Sequence, residues 1–147
     1  MGDARITARK GWMSVLAKAA PARLAALMPD LPKHAVLRAP EVGAVMLRGR
    51  ISATGAPFNL GEMTVTRCSV RLTGGEVGHA WVQGRDKTHA TRAAIVDALM
   101  QSDAGPRLKS DVIDVLSDEA GIARSVRAGK AAATKVDFFT LVRGEDQ

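Results

Sequence analysis

The sequence contains a single cysteine, Cys68, no tyrosine, and only 3% aromatic residues, made up of three phenylalanines and two tryptophans. One thiol cannot close an internal disulfide or build a cysteine-based zinc knuckle, and such sparing use fits a reducing compartment. So few rings leave little on which single-stranded bases could stack. No apolar run approaches the roughly 18 residues that span a bilayer, and residues 1–10 hold no hydrophobic stretch of the signal-peptide kind, so a cytoplasmic protein is expected. The chain also lacks the G-x-x-x-x-G-K-[ST] phosphate loop, and no dinucleotide fingerprint, Ser-His-Asp triad order or pair of catalytic carboxylates can be assembled convincingly from it. Its three histidines, His34, His79 and His89, have no metal-ligand spacing. No catalytic residue and no metal site is therefore assigned, and the chain reads as a non-catalytic subunit.

What is present fits one globular domain over 1–147. At 46% hydrophobic and 24% charged, a chain of 147 residues can bury roughly two-thirds of its unfolded surface. Twenty-one basic against 15 acidic residues give a net charge of +6, enough to attract an anionic partner: nucleic acid, a phosphorylated metabolite or an acidic protein surface.

Helical signals open the chain. Thr7 caps a run through residue 17 in which Trp12, Val15 and Leu16 recur at helical spacing, and Pro21 suits the first turn of a second helix over 22–28, striped with Leu24, Leu27 and Met28. The apolar run 42–47 is expected to be a strand covered on both faces or near the centre of a sheet. Residues 64–72 alternate, with Cys68, Val70 and Leu72 on one face and Arg67, Ser69 and Arg71 on the other. A second strand over 77–83 follows Gly74-Gly75, a pair that predicts a type I′ hairpin with positive φ at both glycines. Asp86 then caps a helix on which His89, Ala93, Val96 and Met100 share a face widened by Ile95 and Leu99, the expected centre of the core. Helices over 108–116 and 118–133 follow. The class is α+β, a small antiparallel sheet with a β-hairpin, flanked by N-terminal and C-terminal helices.

Three groups of residues invite a functional reading. Gly84 to His89 lie where a strand runs into a helix N-terminus, and Arg85 and Lys87 beside free N–H groups make a candidate anion site. The structural alternative is that Asp86 only caps, the two cations are solvated and His89 is a core histidine. Arg67 and Arg71 share a strand face and could grip a phosphate or an acidic interface, or line a salt-bridged surface. Phe138, Phe139, Leu141 and Val142 make an apolar tail that docks on its own domain or on another subunit. Asp97 falls on the otherwise apolar helix face and needs a buried partner.

With these segments in place, the chain resembles the PhnG family of the bacterial carbon-phosphorus lyase system for phosphonate breakdown. The resemblance rests on Trp12-Met13-Ser14-Val15-Leu16, Thr66-Arg67, Val70-Arg71-Leu72, Gly84-Arg85-Asp86-Lys87 with His89-Ala90, Ile95 through Gln101, and Val136-Asp137-Phe138-Phe139-Thr140 with Val142-Arg143-Gly144. It covers nearly the whole chain, although 102–135 matches mainly in helical character. Thr91 stands where a typical member carries an acidic residue, so no catalytic carboxylate is placed there. The resemblance implies an accessory subunit that assembles with PhnI, PhnH and PhnJ type subunits, with PhnL needed for activity, to form ribose 1-methylphosphonate 5-triphosphate from MgATP and methylphosphonate. It also implies that the iron-sulfur cluster and S-adenosylmethionine of the later bond cleavage belong to a PhnJ type partner; one cysteine could not hold such a cluster. In such an assembly Phe138, Phe139, Leu141, Val142 and Arg143 are expected at a partner interface. Arg67, Arg71, Arg85, Lys87 and His89 are expected to face anionic substrate or an acidic partner surface. The other classes left open are a basic nucleic-acid-binding module, a stand-alone anion-binding module and an independent small-molecule enzyme.

Overall fold

Helix α1 (Gly2–Lys18) begins ahead of Thr7, which lies within it rather than capping it, and helix α2 (Pro21–Leu27) follows with Pro21 in its first turn, where its missing N–H costs nothing; the two pack on the rest of the domain far more than on each other. These details come from a computed structural model, which describes residues 2–51 and 54–136. The expected interface residues Phe138, Phe139, Leu141, Val142 and Arg143 lie outside the described residues. Leu16 and Leu24 are buried, and Arg92 Nε donates to the Met28 carbonyl at 3.1 Å, so the end of α2 is tied to the central helix.

Strands β1 (His34–Arg50), β2 (Pro57–Leu72) and β3 (Val77–Gln83) form an antiparallel sheet in the order β1-β2-β3. Period-two alternation places Thr66, Cys68, Val70 and Leu72 on one face of β2, all buried, with Ala80 and Val82 beside them on β3. The turn differs from the expected type I′. Leu72 donates to the Glu76 carbonyl at 2.9 Å and accepts from Gly75 at 3.0 Å, and Gly75 (φ 100°) has a positive φ whereas Gly74 does not. Thr73 joins the loop, which becomes a three-residue connection ending in a glycine bulge.

The run 42–47 also departs from expectation. It lies in β1, an edge strand, and Val42, Met46 and Leu47 are 36%, 52% and 36% exposed. Because β3 pairs with β2 only from Val65 to Arg71 and the Gly84 N–H donates to the Thr64 carbonyl, the backbones of residues 45–50 and 57–63 bond, among the described residues, only to each other and form a two-stranded ribbon beyond the three-stranded part. An apolar run reports apolar character on both faces, not what covers them. Pro40, within the bulged stretch of β1, is the residue that could have marked an edge strand.

Helix α3 (Lys87–Leu99) packs on the inner face of the sheet and is buried at His89, Ala90 and from Ala93 through Ala98. Its close approach depends on Gly78, since a Cβ there would overlap the Ala94 carbonyl oxygen. Helix α4 (Gly105–Leu108), a wide π turn (Lys109–Asp114) and helix α5 (Val115–Ala133) follow without a break, so the two helices expected over 108–116 and 118–133 are one continuous stretch. Val112, Ile113 and Leu116 join the core, whereas Ile122 and Val126 on α5 are 66% and 53% exposed. The exposed pair Arg23 and Glu119, at 2.7 Å, links α2 to α5, raising the guanidinium pKa and lowering that of the carboxyl through their hydrogen bond and attraction.

Candidate functional site

On the outer face of the sheet, antiparallel pairing sets Glu41 opposite Arg67 and Trp81 on its other side. Arg67 donates from Nη2 and Nε to Glu41 Oε2 at 2.8 and 3.0 Å, and its guanidinium lies 5.7 Å from the centre of the Trp81 ring. Its charge is thus already compensated, while Arg71, exposed opposite Val77, has no ion pair among the described residues. The expected two-arginine grip is therefore unequal. Ser69 Oγ and His79 Nδ1 share a hydrogen bond of 2.8 Å on the same face. Among the described residues no carboxylate holds the other imidazole nitrogen, so the pair lacks the orienting member that a hydrolytic triad requires.

The turn from β3 into α3 is rigidly built. Gly84 takes a φ of 89°, its N–H donates to the Thr64 carbonyl at 3.0 Å, and its carbonyl accepts from the buried Thr66 hydroxyl at 2.8 Å. Asp86 Oδ1 accepts from the His89 backbone N–H at 2.8 Å, so the chain's own carboxylate occupies the cap. Arg85 and Lys87 are exposed on this turn, with no ion pair among the described residues.

His89 does not join them. The residue is 2% exposed inside the core, and among the described residues neither ring nitrogen has a hydrogen-bond partner, although the Leu16 carbonyl is near. The basic set read from the sequence therefore divides: Arg67 and Arg71 on the sheet face, Arg85 and Lys87 on the turn, His89 in the interior. Burial lowers the His89 pKa below its ordinary value, the Asp86 carboxylate and Leu16 carbonyl opposing this shift and Arg92 adding to it. The folded state thus binds fewer protons than the unfolded state, and stability rises with pH. The chain is expected to lose stability as pH falls through the unfolded histidine value of about 6.5. Thermal melts at successive pH values check this, and His89→Leu should flatten the loss.

Asp97 finds partners that sequence spacing did not reveal. This fully buried carboxylate accepts from Arg9 Nε and Nη2 at 3.1 and 2.7 Å, from Trp12 Nε1 at 2.8 Å and from the His79 backbone N–H at 2.8 Å. Gln101 Nε2 adds a bond of 2.9 Å to the Val77 carbonyl, so the outer edge of β3 is tied to α1 and α3 there. Beside this clamp, a cleft of about 290 Å³ between α1 and β3 is lined by Lys10, Met13, Ser14, Ala17, His79 and Trp81. Among the described residues, no group of three His, Cys, Asp or Glu side chains could hold a metal ion, and no helix is long and apolar enough to cross a membrane. Cys68 is buried, and desolvation raises its thiol pKa, which suits packing better than nucleophilic work.

Comparison with known proteins gives the family. The family described as phosphonate metabolism protein PhnG matches residues 7–144. The chain belongs to the PhnG family. It is 44% identical, over 98% of its own length and 94% of the relative's, to a protein of Rhizobium meliloti (strain 1021) named alpha-D-ribose 1-methylphosphonate 5-triphosphate synthase subunit PhnG. In this PhnG-family chain, Trp12, Arg67, Gly84 and His89 serve the packing and turns just described.

Proposed function

We propose that the chain is an accessory subunit of a synthase forming ribose 1-methylphosphonate 5-triphosphate from MgATP and methylphosphonate, in the catabolism of phosphonates. The observation that carries this reading is 44% identity, end to end, with a protein named as that synthase's PhnG subunit. The local chemistry agrees with a supporting role. The described polar groups form caps, a clamp and a salt-bridged sheet face, while large apolar side chains stand in solvent on β1, β2 and α5.

In this reading PhnI, PhnH and PhnJ type subunits are the partners and PhnL is needed for activity. Displacement of adenine occurs on the PhnI type subunit, and the iron-sulfur cluster and S-adenosylmethionine serve a later step on the PhnJ type subunit, in the cytoplasm. Phe138, Phe139, Leu141, Val142 and Arg143 contribute to the subunit interface. Arg71, Arg85 and Lys87, exposed and without ion pairs among the described residues, are the cations offered to anionic substrate or to an acidic partner surface.

Coexpression with the other synthase subunits, followed by native mass measurement, is expected to recover this chain within the complex; a chain that elutes alone contradicts the reading. In the recovered complex, Arg85→Ala combined with Lys87→Ala is expected to lower phosphonate-dependent turnover several-fold. Unchanged turnover would remove the turn from the substrate path.

A further inference from the structure

The ribbon of residues 45–50 and 57–63 extends about 20 Å at roughly 3.3 Å per residue, and among the described residues no third strand pairs with it. Val42, Ala44 and Met46, opposite Thr66, Thr64 and Glu62, continue the sheet face that carries α3. Val45 and Leu47, opposite Met63 and Gly61, lie on the other face. Farther out, a register shift follows Leu47, and Phe58 and Leu60 are 41% and 65% exposed, with the Phe58 ring lying over Gly49. Beyond the third strand the ribbon has only its own ladder to hold it, and two strands alone are marginal in water. One with exposed apolar side chains on both faces has the composition of a segment enclosed by another protein.

Charge selects the occupant. Arg48 and Arg50 share one face near the ribbon's end, and among the described residues neither has an ion pair; Arg50 Nη1 donates to the Gly55 carbonyl at 3.2 Å. Glu62 is the sole acidic residue in the described part of 43–64. A second copy would bring another net charge of +6 against these arginines. We infer that the ribbon is a docking arm, inserted into an apolar cleft with an acidic rim on a different subunit of the synthase. This rests on the accessory-subunit reading and adds to it the segment that engages and the chemistry of the surface receiving it.

The test uses the full chain, coexpressed with the remaining synthase subunits and recovered through a tag on one of them. Two double variants are compared with the unaltered chain: Met46→Asp with Leu60→Asp, and Arg48→Glu with Arg50→Glu. Each is expected to reduce the amount of this chain in the complex about tenfold or more. The variants' own melting temperatures should stay within about 2 °C, because the substituted side chains are exposed. Full recovery of the apolar variant overturns the arm, and full recovery of the charge variant overturns the acidic rim. An unaltered chain that forms a dimer dissolved by the same substitutions, with recovery in the complex unaffected, assigns the arm to a second copy and overturns the proposal. Absence of even the unaltered chain from the complex instead defeats the subunit reading, and the arm with it.

Discussion

Replacing Asp97 with alanine is expected to destabilise the chain by about 3–5 kcal/mol, a large part of what holds a domain of this size folded. The carboxylate is fully buried and is the common acceptor for α1, through Arg9 and Trp12, and for β3, through the His79 N–H. Its loss leaves the indole N–H, the His79 N–H and part of a guanidinium without their acceptor in a partly buried region. Arg9 is one-third exposed, so Arg9→Ala should cost less, since solvent can compensate part of the change. Urea unfolding of both single variants and the double variant measures the coupling; the double variant should cost much less than the sum of the singles. A cost below about 1 kcal/mol for Asp97→Ala would mean that the clamp contributes little to stability.

Gly78→Ala is the second large effect. The added methyl would overlap the Ala94 carbonyl oxygen and stand 2.6 Å from the Ala98 nitrogen, both backbone atoms that cannot rotate aside. Relief requires α3 to lift from the sheet, opening the contact that includes Val70, Val82, Ile95 and Val96. The cost is expected to be about 3 kcal/mol, at the upper end of overpacking effects. Chemical unfolding and near-ultraviolet circular dichroism report the loss of stability and of fixed packing. Gly43→Ala provides the contrast, because beyond the adjoining residues no atom of the described residues lies within 4 Å of its added methyl.

Local features of this fold were legible in the sequence because their causes are local. Pro21 marks a helix start, the alternation from Thr64 to Leu72 marks a half-buried strand, and Asp86 marks a cap, each through backbone chemistry within a few residues. That Asp97 needed a buried partner was also legible, from a carboxylate on an apolar face. That the partners are Arg9 and Trp12 was not, since they lie 88 and 85 residues away on a helix whose pattern marks Trp12 only as an apolar-stripe residue and Arg9 not at all. The compensation of Arg67 by Glu41 follows from strand register, which only the folded sheet fixes. The run 42–47 misled because apolar character on both faces suits a central strand and a docking ribbon equally. The break expected between two C-terminal helices was absent because the π turn at Lys109–Asp114 passes the chain into α5 without interruption.

The most direct test follows phosphorus by NMR while MgATP and methylphosphonate are supplied to this chain alone, to the other synthase subunits without it, and to the complete set. Product signals are expected from the complete set and from neither partial sample. Conversion by the isolated chain would contradict its accessory role, and full conversion by the set lacking it would show that the synthase does not require it.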